Sequence, residues 1–349
     1  MIAPTAGAQV PGEAGASSPA APAMPDSVRG YVRDAMAIFR ARSIHRDRVD
    51  WAALEDSVLA RADGARTFAG TWQALGWALR TVDPHSFLMP PPSARGGMAP
   101  GNTASQSLPM PPLPGGWPLA GGIGALIVPG HAGPNRPAYV DSLHAALEAL
   151  DRYVSCGWIV DLRENTGGNM WPMLAGVGPL LGAEVVGSFD PDPSGGAWRY
   201  RNGRSWSGDS TPPLMPSGWG SATPPALVHA DAPVAVLIGR RTASSGEMTL
   251  LSFLGRPNVR TFGDSTAGFT SANASVPLRD GAMLIVTVSY PRDRLGRRYP
   301  LRVAPDELVT SDGAATVERA AAWLRSQRSC AAGRSWVVPA SQVREQGGA

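Results

Sequence analysis

The chain has 349 residues, a formal net charge of +3 and 43% hydrophobic residues, enough apolar material for one large domain or two ordinary ones. It has no run of ~18 apolar residues, so no membrane span is expected. All 31 basic residues are arginine, dispersed among acids in stretches such as "RDRVD" and "RDRLGRR", which describes a solvated surface and argues against a nucleic-acid partner.

Residues 1–26 are rich in Ala, Pro, Gly and Ser, with neither a basic start nor an apolar centre. They read as a flexible leader and not as an intact signal peptide. Residues 27–90 read as a small helical domain. "VRGYVRDAMAIF" puts Val28, Tyr31, Val32, Ala35 and Phe39 on one helical face. Asp50 is placed to cap "WAALEDSVLARA", and "TWQALGWALRTV" repeats Trp72, Leu75, Leu79 and Val82 before the stop "DPHSFLMPPP". Residues 91–118 are Pro- and Gly-rich and read as a loop or lid.

The pattern then changes. "GGIGALIVPG" and "GWIVDLR" read as buried strands flanking the amphipathic helix "AYVDSLHAALEALDRY". The strand–helix–strand–Gly-rich turn–helix order predicts an α/β core over 119–328. Residues 184–232 read as an insertion, with a hairpin signal at Asn202-Gly203 inside "WRYRNGRSW". The core order resumes with "APVAVLIG", the turn "RRTASSGE" and a helix. Residues 329–349 read as a loose tail. Cys156 and Cys330 make no metal motif, and the sequence leaves open whether they pair as a disulfide, which an oxidising compartment would permit.

Two strand-to-helix turns can carry chemistry. In "TASSGE", Ser244 or Ser245 is either a plain helix cap or a nucleophile at an accessible turn. In "DLRENTGG", Gly167 and Gly168 are either turn glycines or a place where backbone N–H groups approach a ligand closely. Asp161 and Arg163 read as a structural ion pair.

Taken in order, "GWIVDLRENTGGNMWPM", "VLIGRRTASSGEMTLLSF", "FGDSTAG" and "VAPDELV" resemble the tail-specific, or carboxy-terminal processing, serine peptidases, relatives of the tricorn core and of interphotoreceptor retinoid-binding protein. The likeness runs over roughly 121–310, and the helical segment ending in "DPHSF" is similar to the family's N-terminal region. The resemblance implies an α/β fold with a crotonase-like ββα spiral core after a small helical domain. It further implies Ser244 as nucleophile, with an oxyanion hole from the N–H of Ser245 and of Gly167 or Gly168. Glu247 matches the acid that follows the nucleophile. It also implies a peptide or unfolded protein as substrate, no cofactor or metal, and an extracytoplasmic location.

The chain departs from the lysine-using members: the aligned stretch reads "AGFT", with Phe269 at the lysine position. A tricorn-like branch takes its base from a histidine ahead of the core. Of His45, His85, His131, His144 and His229, His85 in "DPHSF" fits that place, and a neutral imidazole is a suitable base near neutral pH. His131 is the nearest substitute. The group that orients the histidine is left open among Asp83, Ser86, Glu247 and Asp306. No G-x-S-x-G elbow, zinc helix or P-loop occurs. Two alternatives share the fold: a non-catalytic small-ligand or peptide-binding protein, and, ranked below it, an acyl-CoA enzyme, for which no cluster of basic residues is placed.

Overall fold

The computed structural model describes residues 23–95, 113–191, 196–208, 223–310 and 313–331. In chain order it contains α1 (Asp26–Arg42), α2 (Trp51–Arg61), α3 (Trp72–Val82), β1 (Phe87–Met89), α4 (Pro92–Arg95), β2 (Gly115–Leu119), β3 (Ile123–Ile127), α5 (Arg136–Asp151), β4 (Gly157–Asp161) and α6 (Met170–Val177). There follow β5 (Val185–Asp190), β6 (Ala197–Arg201), β7 (Arg204–Ser207), β8 (Val234–Ile238), α7 (Ser245–Leu251), β9 (Val259–Gly263), β10 (Ala272–Pro277), β11 (Met283–Asp293), β12 (Glu307–Leu308), α8 (Gly313–Arg325) and α9 (Arg328–Ala331).

The fold is mixed α/β with a helical N-terminal region, built on two sheets. The first runs β12-β9-β8-β4-β3-β2, with every neighbouring pair parallel except β2–β3. Its strands are apolar on both faces because helices cover both. Trp158 and Val160 of β4, with Val234, Val236 and Ile238 of β8, join the core under α5 and α6. The alternate residues Ile159, Ala235 and Leu237 pack with Ala320, Ala321 and Leu324 of α8 on the other side. This is the two-residue period of a strand expressed as two cores.

The second sheet is antiparallel, in the order β1-β11-β5-β6-β7, with β10 also paired to β11. Asn202 (φ 50°) and Gly203 (φ 76°) close the β6–β7 hairpin, and Asn-Gly is the pair that tolerates two positive φ values in succession. The helices α1 to α3 share a core with this sheet: Val28, Val32, Phe39, Leu75 and Leu79 pack with Leu284 and Val286 of β11. At the start of α2, Asp50 caps by accepting from the N–H of Ala53 at 3.1 Å.

Two short stretches, one in the stop that ends the helical domain and one in the Pro- and Gly-rich segment, are strands and not the stop and loop expected. Gly115–Leu119 forms β2, an edge strand that accommodates Pro118. Phe87–Met89 forms β1 against β11. β1 is too short to carry a periodic signal and β2 holds two glycines and a proline, so tertiary pairing makes them strands.

Candidate active site

The two turns singled out in the sequence lie side by side, because β4 and β8 are adjacent and parallel and both turns leave their carboxyl ends. That end of a parallel sheet is where loops converge on a ligand. Asn165 and Thr242 bind the turns together. Thr242 Oγ1 donates to the Leu162 carbonyl at 2.8 Å, and the Ala243 N–H donates to the Asn165 carbonyl at 2.9 Å. The Asn165 side chain, fully buried, donates to the Val128 carbonyl (2.9 Å) and accepts from the Gly167 N–H (3.0 Å).

Ser244 is one of three non-glycine residues at positive φ among the described residues, with φ 52° and ψ −118°. A helix-capping serine ordinarily sits in the extended region, so this conformation is more than capping requires and marks a strained position. Glu247 holds it. The Glu247 carboxylate, fully buried, accepts from the Ser244 N–H at 2.8 Å, Thr266 Oγ1 at 2.5 Å and the Gly268 N–H at 2.9 Å. It also accepts from the backbone of Phe269. Burial raises its pKa above the ordinary 4.5, and these donors oppose the rise.

Gly167 (φ 98°) and Gly168 (φ 118°) both need a left-handed backbone. A Cβ at Gly167 would lie 2.8 Å from the Ala243 carbonyl oxygen and 3.0 Å from the Ser244 Cβ, which shows how closely the two turns approach. A Cβ at Gly168 would run into the His131 carbonyl oxygen. The Gly167 N–H is taken by Asn165, and its carbonyl accepts from the His131 N–H at 3.0 Å. Across the planar trans peptide, the Gly168 N–H therefore points away from His131. Neither this N–H nor that of Ser245 has a hydrogen-bond acceptor among the described residues. The Ser245 hydroxyl donates to the Gly168 carbonyl at 2.7 Å and so staples the turns together.

His85 occupies the turn between α3 and β1. Its N–H donates to Asp83 at 2.8 Å and its carbonyl accepts from Asn273 at 2.9 Å. Its Nδ1 lies 2.7 Å from Ser271 Oγ, and its ring is tilted against Phe269 with centroids 5.2 Å apart. Phe269 thus touches His85 through its ring and Glu247 through its backbone, and Glu247 holds Ser244. Among the described residues no hydrogen bond joins the Ser244 and His85 side chains. Burial lowers the His85 pKa below the ordinary 6.5, with Asp83 opposing.

The remaining candidates divide. Asp83 lies against His85 and also accepts from Thr287 Oγ1 and pairs with His45. Ser86 is buried and bonded to Thr287. Asp306 is engaged with Thr261 on β9. His131 is buried behind the glycine turn, its Nε2 without a partner among the described residues. Ser271, absent from the sequence-based set, is the side chain bonded to the His85 ring. No motif points to it, since 186 residues separate the two. No group of His, Cys, Asp and Glu among the described residues could hold a metal ion.

The family model of Peptidase family S41 matches residues 130–309. The chain belongs to peptidase family S41. This span takes in both strand-to-helix turns. The nisin-resistance protein of Lactococcus lactis subsp. lactis is 28% identical over 309 residues, covering 87% of this chain and 89% of that protein. Among solved structures, a lipoprotein from Streptococcus agalactiae matches with TM-score 0.64 and 23% identity, over 86% of this chain and 96% of that one. The photosystem II D1 C-terminal processing protease matches with TM-score 0.51 and 16% identity, over 81% of this chain and 93% of that one. These likenesses support the mixed α/β fold, and S41 membership makes hydrolysis of peptide bonds the family's chemistry.

Proposed function

We propose that this S41 chain is an extracytoplasmic serine peptidase with Ser244 as nucleophile and His85 as general base. The observation that carries the reading is the backbone of Ser244: a positive φ that capping does not require, held by a buried carboxylate, against a glycine turn with N–H groups to spare.

Ser244 Oγ attacks the carbonyl carbon of the scissile peptide bond as its proton passes to the neutral His85 imidazole. For that transfer the ring and the hydroxyl close to hydrogen-bond distance once substrate is bound. The N–H groups of Gly168 and Ser245 hold the developing oxyanion. Gly168 takes this role over Gly167, whose N–H is already committed to Asn165. His85 returns the proton to the leaving amine. Water then attacks the acyl-enzyme by the same route and frees the second product and Ser244. The absence of lysine from the sequence supports a histidine base.

The substrate class is a peptide or an unfolded protein segment outside the cytoplasm. The Cys156–Cys330 disulfide and the likeness to a protein described as a lipoprotein support that location. Likeness to a nisin-resistance protein supports nisin as one substrate to try. The test is incubation of the protein with nisin and with an unmodified peptide library, followed by mass spectrometry. New amide-bond cleavage products that vanish with Ser244→Ala are expected. A folded wild type that cleaves neither would overturn the peptidase reading and favour the binding protein on the same fold.

A further inference from the structure

We infer that Ser271 is the positioning residue for the His85 ring, accepting a hydrogen bond from Nδ1–H so that Nε2 carries the basic lone pair. The inference rests on the reading of His85 as base.

Three residues of one short segment hold the histidine from different sides. Ser271 Oγ is 2.7 Å from Nδ1, Phe269 lies against the ring face with centroids 5.2 Å apart, and Asn273 donates to the His85 carbonyl at 2.9 Å. Asn273 Oδ1 and Asp83 Oδ1 both lie within hydrogen-bond distance of Thr287 Oγ1, at 3.0 and 2.9 Å, and share its one proton. Asp83 makes no hydrogen bond to the imidazole in this structure. Its Oδ1 receives the His85 backbone N–H and its Oδ2 is paired with His45 Nε2 at 2.9 Å. Glu247 is committed to Ser244, Thr266 and Gly268, Ser86 to Thr287, and Asp306 to Thr261. Among the described residues only Ser271 has a side-chain hydrogen bond to the ring.

A neutral imidazole bears one N–H, and its partner decides which nitrogen keeps the lone pair. With Nδ1–H donating to Ser271, the free Nε2 accepts the Ser244 proton. The resulting imidazolium keeps both N–H groups, and Ser271 remains an acceptor for one of them. A neutral acceptor aligns the ring without the charge a carboxylate would add.

The tautomer is read by long-range 1H–15N correlation on the histidine-15N protein, with the His85 signals assigned by their loss in His85→Ala. The wild-type ring is expected as the Nδ1–H form at pH 7.5. Ser271→Ala should shift it towards a mixture and slow labelling by a fluorophosphonate about tenfold, the scale of one lost hydrogen bond. Ser271→Thr should restore both. A wild-type Nε2–H tautomer overturns the inference without any variant. So does Ser271→Ala with unchanged tautomer and labelling rate while His85→Ala abolishes labelling, and in that outcome the base assignment survives. Labelling that persists in His85→Ala removes the base assignment, and this inference with it.

Discussion

At the scale of single residues, adjacent serines have been given different work. Ser244 carries the unusual backbone, and Ser245 spends its hydroxyl on the Gly168 carbonyl. Ser245→Ala keeps the backbone N–H that the proposed mechanism assigns to the oxyanion and loses one side-chain hydrogen bond. It should remain labelled by a fluorophosphonate while losing about 1 kcal/mol of stability in urea denaturation. Loss of labelling with the fold intact would make Ser245 the nucleophile instead. The titration of His85 gives a second prediction. In the proposed mechanism the neutral ring is the base, and burial makes protonation harder, lowering its pKa from the ordinary 6.5. The labelling rate should therefore be flat through neutrality and fall only as the pH drops below 6.5. An acid limb centred above 6.5 would contradict a buried histidine base. Residues with local signals were legible in the sequence: Ser244 and the glycines sit in turns whose chemistry is written in a few adjacent letters. Ser271 was not, because its role comes from a contact across 186 residues.

At the scale of elements, the site is two strand-to-helix turns stitched into one. Asn165 is the stitch, fully buried, with its side chain bonded to β3's exit at Val128 and to Gly167. Asn165→Ala would leave a buried carbonyl and a buried N–H without partners and should cost about 2–4 kcal/mol. A urea midpoint equal to wild type would refute that role. The folded fraction should also label more slowly, because the Thr166–Gly167 peptide that leads into the glycine turn loses its anchor. The apolar strands β4 and β8 and the helix α5 around these turns could be read from hydrophobic pattern and flanking glycines. Those at β1 and β2 could not, since β1 has three residues and β2 is the Gly- and Pro-containing stretch GGWPL, and both take their state from the partner they find. Which glycine N–H remains free was equally hidden, because it depends on where Asn165 points.

At the scale of the whole molecule, the proposed mechanism draws its two catalytic groups from two sheets. The parallel sheet presents Ser244 at the end of β8, and the antiparallel sheet, with the helices packed on β11, presents His85 beside β1. The loop leading into β10 touches both sides through Phe269. The Cys156–Cys330 disulfide, spanning 174 residues, ties α9 to the chain just before β4. That is the end of the sheet opposite Ser244, about 16 Å away along a five-residue strand. The double substitution Cys156→Ala with Cys330→Ala should lower unfolding stability by about 2–4 kcal/mol and leave the labelling rate of the folded protein unchanged. An equal loss of labelling would mean that the tie reaches the site. The parallel core was legible because alternating strands and helices constrain topology. The meeting of the two sheets was not, since no local pattern records it.

The measurement closest to the central claim is fluorophosphonate labelling of the folded wild type beside Ser244→Ala and His85→Ala, with circular dichroism confirming the fold of each. A serine activated by histidine requires a labelled wild type, no adduct in Ser244→Ala, and at least about a hundredfold slower labelling in His85→Ala. A folded wild type that takes no label, or a Ser244→Ala protein that still does, would contradict it.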